Sequence, residues 1–159
     1  MTPEETIEVA AANYRGVFIH YFTRIEILMD CLIRNKAFGD EESYNKFAKI
    51  LSLTMDRKME LYKICIDNYQ KENGGDYSFM ISSLKELVNI RHILAHWMLD
   101  TSSEGVSLYE KNQTLRFIKS NRDANPQVFT NDVLRKRIVQ IGGLNKDMLK
   151  IHDATDSGK

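Results

Sequence analysis

The chain has 159 residues, with 22 Lys and Arg against 22 Asp and Glu, so its formal net charge is zero. Neutrality argues against a protein held on nucleic acid by bulk charge alone, and no apolar run approaches the roughly 20 residues of a membrane span. The length fits a single domain, residues 1–159, and a helical domain of that size can bury a continuous core. Met1-Thr2-Pro3-Glu4-Glu5 is acidic and precedes no signal-like apolar run. Cys31 and Cys65 sit in apolar helical patterns without a partner motif and read as reduced core thiols. A cytoplasmic location is expected. The charge is unevenly spread: residues 1–110 hold 12 basic and 17 acidic residues, whereas 111–151 hold 9 and 3. A basic C-terminal third is compatible with a phosphate-bearing ligand and equally with a solvated helix face.

Thr6 to Lys36 predicts one long helix. Ile7, Ala11, Tyr14, Phe18, Tyr21, Ile25, Leu28 and Leu32 recur at spacings of four and three and share a stripe. Phe22, Met29 and Ile33 widen that stripe, with Glu26 set among them, and Phe38-Gly39-Asp40 supplies the stop. A second helix is predicted from about Glu41 to Gln70 on Tyr44, Ala48, Leu51, Met55, Met59, Tyr62, Ile66 and Tyr69. Asn73-Gly74-Gly75-Asp76 is a turn cluster. Ser78 can cap a third helix, about Phe79 to Leu99, whose apolar face is Met80, Leu84, Leu87, Val88, Leu94, Ala95 and Met98. Three such stripes predict an antiparallel bundle.

Gly105 to Glu110 and Thr114 to Lys119 are short and rich in β-branched or aromatic residues, which predicts a β-hairpin over about 105–119. A loop is expected at 121–126. Thr130 then caps a last helix through Val133, Leu134, Ile138, Ile141, Leu144, Met148 and Ile151. Gly142-Gly143 keeps that helix in phase and implies a kink or a close helix contact. Residues from about 153 to 159 are expected to form a flexible tail. The fold class is therefore mainly α: a four-helix bundle with a small hairpin between its third and last long helices.

Two features of the third helix point to chemistry. At roughly 100° per residue, Arg91 falls at the centre of the apolar face, where a guanidinium needs a partner or an interface. Glu26, likewise a charge in an apolar row, is the expected partner. Lys85, Asn89, His92 and His96 follow at spacings of four, three and four along one edge. An imidazole titrates near neutrality and can move a proton.

The segment Arg91-His92-Ile93-Leu94-Ala95-His96 resembles the signature of HEPN domains, an arginine and a histidine four to six residues apart with Asn, Asp or His after the arginine. The order of long helices is similar too, and the resemblance covers most of residues 6–151. It implies a small helical bundle acting as a metal-independent ribonuclease, without a cofactor, of toxin–antitoxin, phage-defence or RNA-processing systems. It assigns Arg91 to the scissile phosphate and His96 to proton transfer, with His92 and Asn89 in support. RNA is then the substrate, and an antitoxin or a nucleotidyltransferase is the implied partner. In one defence subgroup the nucleotidyltransferase modifies a tyrosine two residues after the motif histidine. Met98 stands there in this chain, so that form of control does not carry over. Residues five apart on a helix diverge by roughly 140°, and the family answers this by dimerising. A homodimer through the third helix is accordingly expected, with Trp97 and Leu99 extending its apolar surface. Arg15 to His20 has the same spacing but is set aside, because Gly16 is not polar and the segment lies early in the first helix.

Two other readings stand beside this one. The chain fits a non-catalytic RNA- or protein-binding module of the same fold. Alternatively, His92, His96 and Asp100, at spacings of four on one edge, could serve as metal ligands in a helical bundle.

Overall fold

The N-terminal stripe forms helix α1, Pro3–Ile33, which closes through a π-helical turn, Arg34–Phe38. Gly39 ends it as expected: at φ 76° it adopts the left-handed conformation that suits glycine, and its N–H donates to the Arg34 carbonyl at 2.8 Å. The remaining elements are α2 (Glu41–Leu51), α3 (Met55–Asn73), α4 (Ser78–His96), β1 (Met98–Leu99), α5 (Ser103–Asn112), β2 (Thr114–Ile118), β3 (Gln127–Thr130) and α6 (Asn131–Asp156). These come from a computed structural model that describes residues 1–51, 53–120 and 125–156. The protein is mainly helical, with a small antiparallel sheet in the order β1-β2-β3. Among the described residues no helix is long and apolar enough to cross a membrane.

The chain divides into two compact units. The first comprises Met1–Phe22 and Glu86–Gly142, the second Thr23–Lys85 and the chain from Gly143 onward. The first unit buries Ile7, Ala11, Phe18 and Phe22 of α1 with Leu87, Ile90, Ile93 and Leu94 of α4, together with Leu115 and Phe117 of β2 and Leu134 and Ile141 of α6. The second buries Ile25, Met29, Leu32 and Ile33 with Tyr62, Cys65, Ile66, Tyr69, Met80, Leu84, Leu144, Met148 and Ile151. Both cysteines are free, Cys65 within this core, where burial pushes its thiol up from the ordinary range. On the edge of the second core, Asp30 accepts from the Tyr44 hydroxyl at 2.5 Å and pairs with Lys58 Nζ at 2.9 Å. Burial and that carboxylate raise the pKa of the Tyr44 phenol.

Several expectations from the sequence need correction, among them the third helix, predicted to reach Leu99, which ends at His96 before strand β1. The predicted second helix is two helices, because Thr54 starts a new one: its extended backbone and side chain cap α3, and Oγ1 accepts from the Arg57 amide at 3.5 Å. Its apolar stripe keeps phase across the break, so periodicity alone hides it. Ser52 and the Leu51 side chain lie outside the described residues.

The first strand of the predicted hairpin is the helix α5. Ser102 caps it by accepting from the Gly105 amide at 3.4 Å, Glu104 lies in its first turn, and Gln113 ends it in the left-handed conformation. The second predicted strand is correct. It pairs with two strands the hairpin did not contain: Leu99 opposite Phe117, and Arg116 opposite Val128.

The end of α6 is another. Residues 153–156, expected to be tail, continue the helix, whereas 157–159 and residues 121–124 of the predicted loop lie outside the described residues. Thr130 caps α6 as read, accepting from the Val133 amide at 3.2 Å. Its two glycines are not close contacts. A Cβ on Gly143 would meet nothing within 4 Å among the described residues, and one on Gly142 only Tyr21 at 3.9 Å.

Gly105 is the glycine that space demands. A Cβ there would lie 2.1 Å from the Asp100 carbonyl oxygen, a backbone atom that cannot step aside alone. Gly105→Ala is expected to destabilise the fold by about 2 kcal/mol or more, measured by urea unfolding. Gly143→Ala, which meets nothing and sits in a helix, should be neutral or stabilising by about 0.5–1 kcal/mol.

Candidate functional site

Helix α4 buries different faces along its length. Met80, Ile81 and Leu84 are buried in its N-terminal part, and Leu87, Ile90, Ile93 and Leu94 in its C-terminal part. At 100° per residue the second set is rotated from the first by roughly a third of a turn. Arg91 lies on the line the first set defines, but by its own level the buried face has turned away. It is half-buried, with Ala95 beyond it exposed, so the reading of Arg91 at the centre of a buried face is corrected: it sits at the margin. The guanidinium can reach solvent, and an internal counter-charge is not obligatory. Glu26 belongs to the second unit and Arg91 to the first.

Within its own unit Arg91 has a partner that its angular position on the helix does not predict. Its Nη1 lies 3.2 Å from His96 Nε2. The long arginine stem spans the turn, and the Cβ of His96 tilts toward the helix N-terminus, bringing the ring back over Arg91. A guanidinium only donates, so this contact is a hydrogen bond when the ring offers its Nε2 lone pair. The expectation that the two side chains of one chain must diverge is therefore overturned. His92 completes the group, with its ring centroid 5.1 Å from that of His96 and the planes tilted by 54°. Lys85, Asn89, His92 and His96 are all exposed along the predicted edge.

The helix ends at His96, so Asp100 is not the next rung of that edge. It lies beyond β1, 6% exposed, and its carboxylate is committed elsewhere. Oδ2 faces Arg116 Nε at 3.3 Å and Oδ1 accepts from the Ser102 amide at 3.0 Å. Arg116 also reaches Glu104, Nη1 to Oε2, at 2.5 Å. The three-ligand array of His92, His96 and Asp100 is thus not formed. Among the described residues no group of three or more His, Cys, Asp or Glu side chains could hold a metal ion.

Two cations bracket the residue that follows the motif. Arg15 Nη2 donates to the Trp97 carbonyl at 2.5 Å, and its guanidinium carbon lies 5.2 Å from the centre of the Phe117 ring. Burial lowers the Arg15 pKa. Lys119 Nζ stands over the Trp97 ring, 4.7 Å from its centroid. Arg15 opens the early Arg15-to-His20 segment of the first helix. It serves the end of α4 by occupying a carbonyl there, a role the helix C-terminus favours for a cation. Its position on the Ile7–Phe18 stripe was the only signal in the sequence.

Comparison of the chain with protein-family models, with curated proteins and with solved structures gives no match.

Arg15 is expected to matter for stability and His96 not to. Arg15→Ala should cost about 1–3 kcal/mol, because it leaves the Trp97 carbonyl without its donor and Phe117 without its cation. His96→Ala and Asn89→Ala, at exposed positions, should change stability by less than about 0.5 kcal/mol. Urea denaturation of the three variants beside the native chain checks both statements.

Proposed function

We propose that the chain is a HEPN-type endoribonuclease that cleaves RNA without a metal ion or other cofactor. The observation that supports this reading is the Arg91–His96 contact of 3.2 Å on an exposed helix edge, with His92 alongside. In the proposed reaction a ribose 2′-hydroxyl attacks the adjacent phosphorus, and His96, neutral and carrying a free lone pair once Arg91 turns to phosphate, takes the hydroxyl proton. Arg91 stabilises the charge on the phosphoryl oxygens. The bond from phosphorus to the 5′-oxygen breaks, that oxygen takes a proton from water, His96 releases its own to solvent, and the new 3′ end is a cyclic phosphate. His92 and Asn89 orient His96 or hold a phosphate oxygen.

The reading takes α1, α3, α4 and α6 as the four helices of the HEPN bundle. It keeps the homodimer through α4, now as the source of a cleft for RNA rather than as the means of joining Arg91 to His96. A cytoplasmic protein opposed by an antitoxin, in a toxin–antitoxin or phage-defence setting, is the context it implies. One observation favours a second reading, an RNA-binding module without turnover: Arg91 and His96 occupy each other, an arrangement that must open before either acts.

Cleavage of a mixed-sequence single-stranded RNA in excess EDTA separates the two. The native chain should produce cyclic phosphate ends and leave DNA intact. His96→Ala should lower the rate by roughly 100-fold or more while keeping its fold. Equal cleavage by both proteins, or cleavage only after metal is restored, removes the mechanism. RNA binding that is unchanged by His96→Ala, with no cleavage by either, establishes the binding module.

A further inference from the structure

The second unit carries a recess of about 220 Å³ lined by Tyr69, Tyr77, Phe79, Asp147, Lys150 and Ile151. None of these residues takes part in the proposed ribonuclease chemistry. We propose that this recess binds a quaternary ammonium group such as that of choline.

Three of the six lining residues are aromatic. The Tyr69 and Tyr77 rings meet edge to face, with centroids 5.6 Å apart and planes at 68°, and both line the recess. Phe79, at 46% exposure, lines it as well, and the buried Ile151 adds an apolar surface. Aromatic faces carry negative charge density and attract a cation without hydrogen bonding to it. Asp147 adds a carboxylate to the same lining. A purely apolar ligand would desolvate that carboxylate without return, and an anion, although Lys150 lines the same recess, would meet both the carboxylate and the negative ring faces. A methylated ammonium satisfies both surfaces, since its methyl shell packs on rings and Ile151 while its charge faces Asp147.

The backbone that carries these rings is held by hydrogen bonds of its own. Tyr69 is only 8% exposed, and its carbonyl accepts from Asn73 Nδ2 at 2.9 Å. The Tyr77 amide donates to Gln70 Oε1 at 3.3 Å. Gly75, at φ 89°, lets the Tyr77 ring pack against the turn, where a Cβ would come within 3.1 Å of it. Lys150 Nζ meets Asp147 Oδ1 at 3.0 Å, but the pair is three residues apart on one helix with the lysine 77% exposed. Such a surface pair is weak, and a cation in the recess competes with Lys150 for the carboxylate.

That competition gives the test its sign. Titration of the full chain with choline, followed by aromatic proton chemical shifts, should show saturable changes on tyrosine and phenylalanine signals. Dimethylbutanol, the neutral carbon isostere of choline, should bind about tenfold more weakly, because it keeps the shape and loses the charge. Phe79→Ala and Asp147→Asn should each weaken choline binding by about two- to fivefold, and Lys150→Ala should strengthen it. All three positions are at least partly exposed, so the variants should keep the fold, and the unperturbed spectrum of the rest of the chain verifies this. Equal binding of the neutral isostere, weaker binding by Lys150→Ala, or no saturation with the native chain overturns the proposal. RNA cleavage plays no part in the readout, so the two proposals fail separately.

Discussion

A carboxylate removed from water has to be answered by the groups around it, and in the first unit that carboxylate belongs to Asp100. Arg116 reaches it from β2 and the Ser102 amide from the cap of α5, while the Asp100 amide donates to the Arg116 carbonyl at 2.9 Å. Deleting one member of such a pair typically costs about 3–5 kcal/mol, because the other charge is left buried and alone. One side chain thereby ties together the exit from α4, the start of α5 and the register of β1 on β2. Gly105 is a consequence of the same closeness, since the backbone at Asp100 fills the space a side chain would need. The ends of that register bring Lys119, the residue after β2, over the ring of Trp97, the residue after α4.

The long helices were legible because each carries a stripe that repeats for many turns, and Gly39 and Thr130 mark a stop and a start by local hydrogen bonding. What failed was local in another way. Thr54 begins a helix inside a stripe that never loses phase, so the break is written in one hydroxyl rather than in the pattern. Ser102-Ser103-Glu104 signals a helix start, yet Val106 and Tyr109 give the segment the look of a strand. β1 is two residues long and exists only because β2 pairs with it; no property of Met98-Leu99 alone specifies it.

The edge of Lys85, Asn89, His92 and His96 follows directly from spacing, and its exposure agrees. Arg91 was misplaced because a single helical wheel assumes one buried face, whereas α4 turns its buried face by roughly a third of a turn along its length. Side-chain reach then decided its contact with His96: divergent Cα directions do not separate an arginine from a residue on the next turn when both lie near solvent. Arg15 was passed over for the same kind of reason. Its partner is a carbonyl 82 positions away in sequence, and no pattern within α1 encodes it.

Trp97 is the chain's one tryptophan, and it directly follows His96 with an ammonium group above its ring. Indole emission responds to nearby charge and to solvent, so the native protein carries its own optical probe at this edge. Displacement of Lys119 by a phosphate, or cover by a second copy of the chain, changes the surroundings of that one ring. Tryptophan light from the unlabelled molecule therefore comes from the end of α4 and from nowhere else.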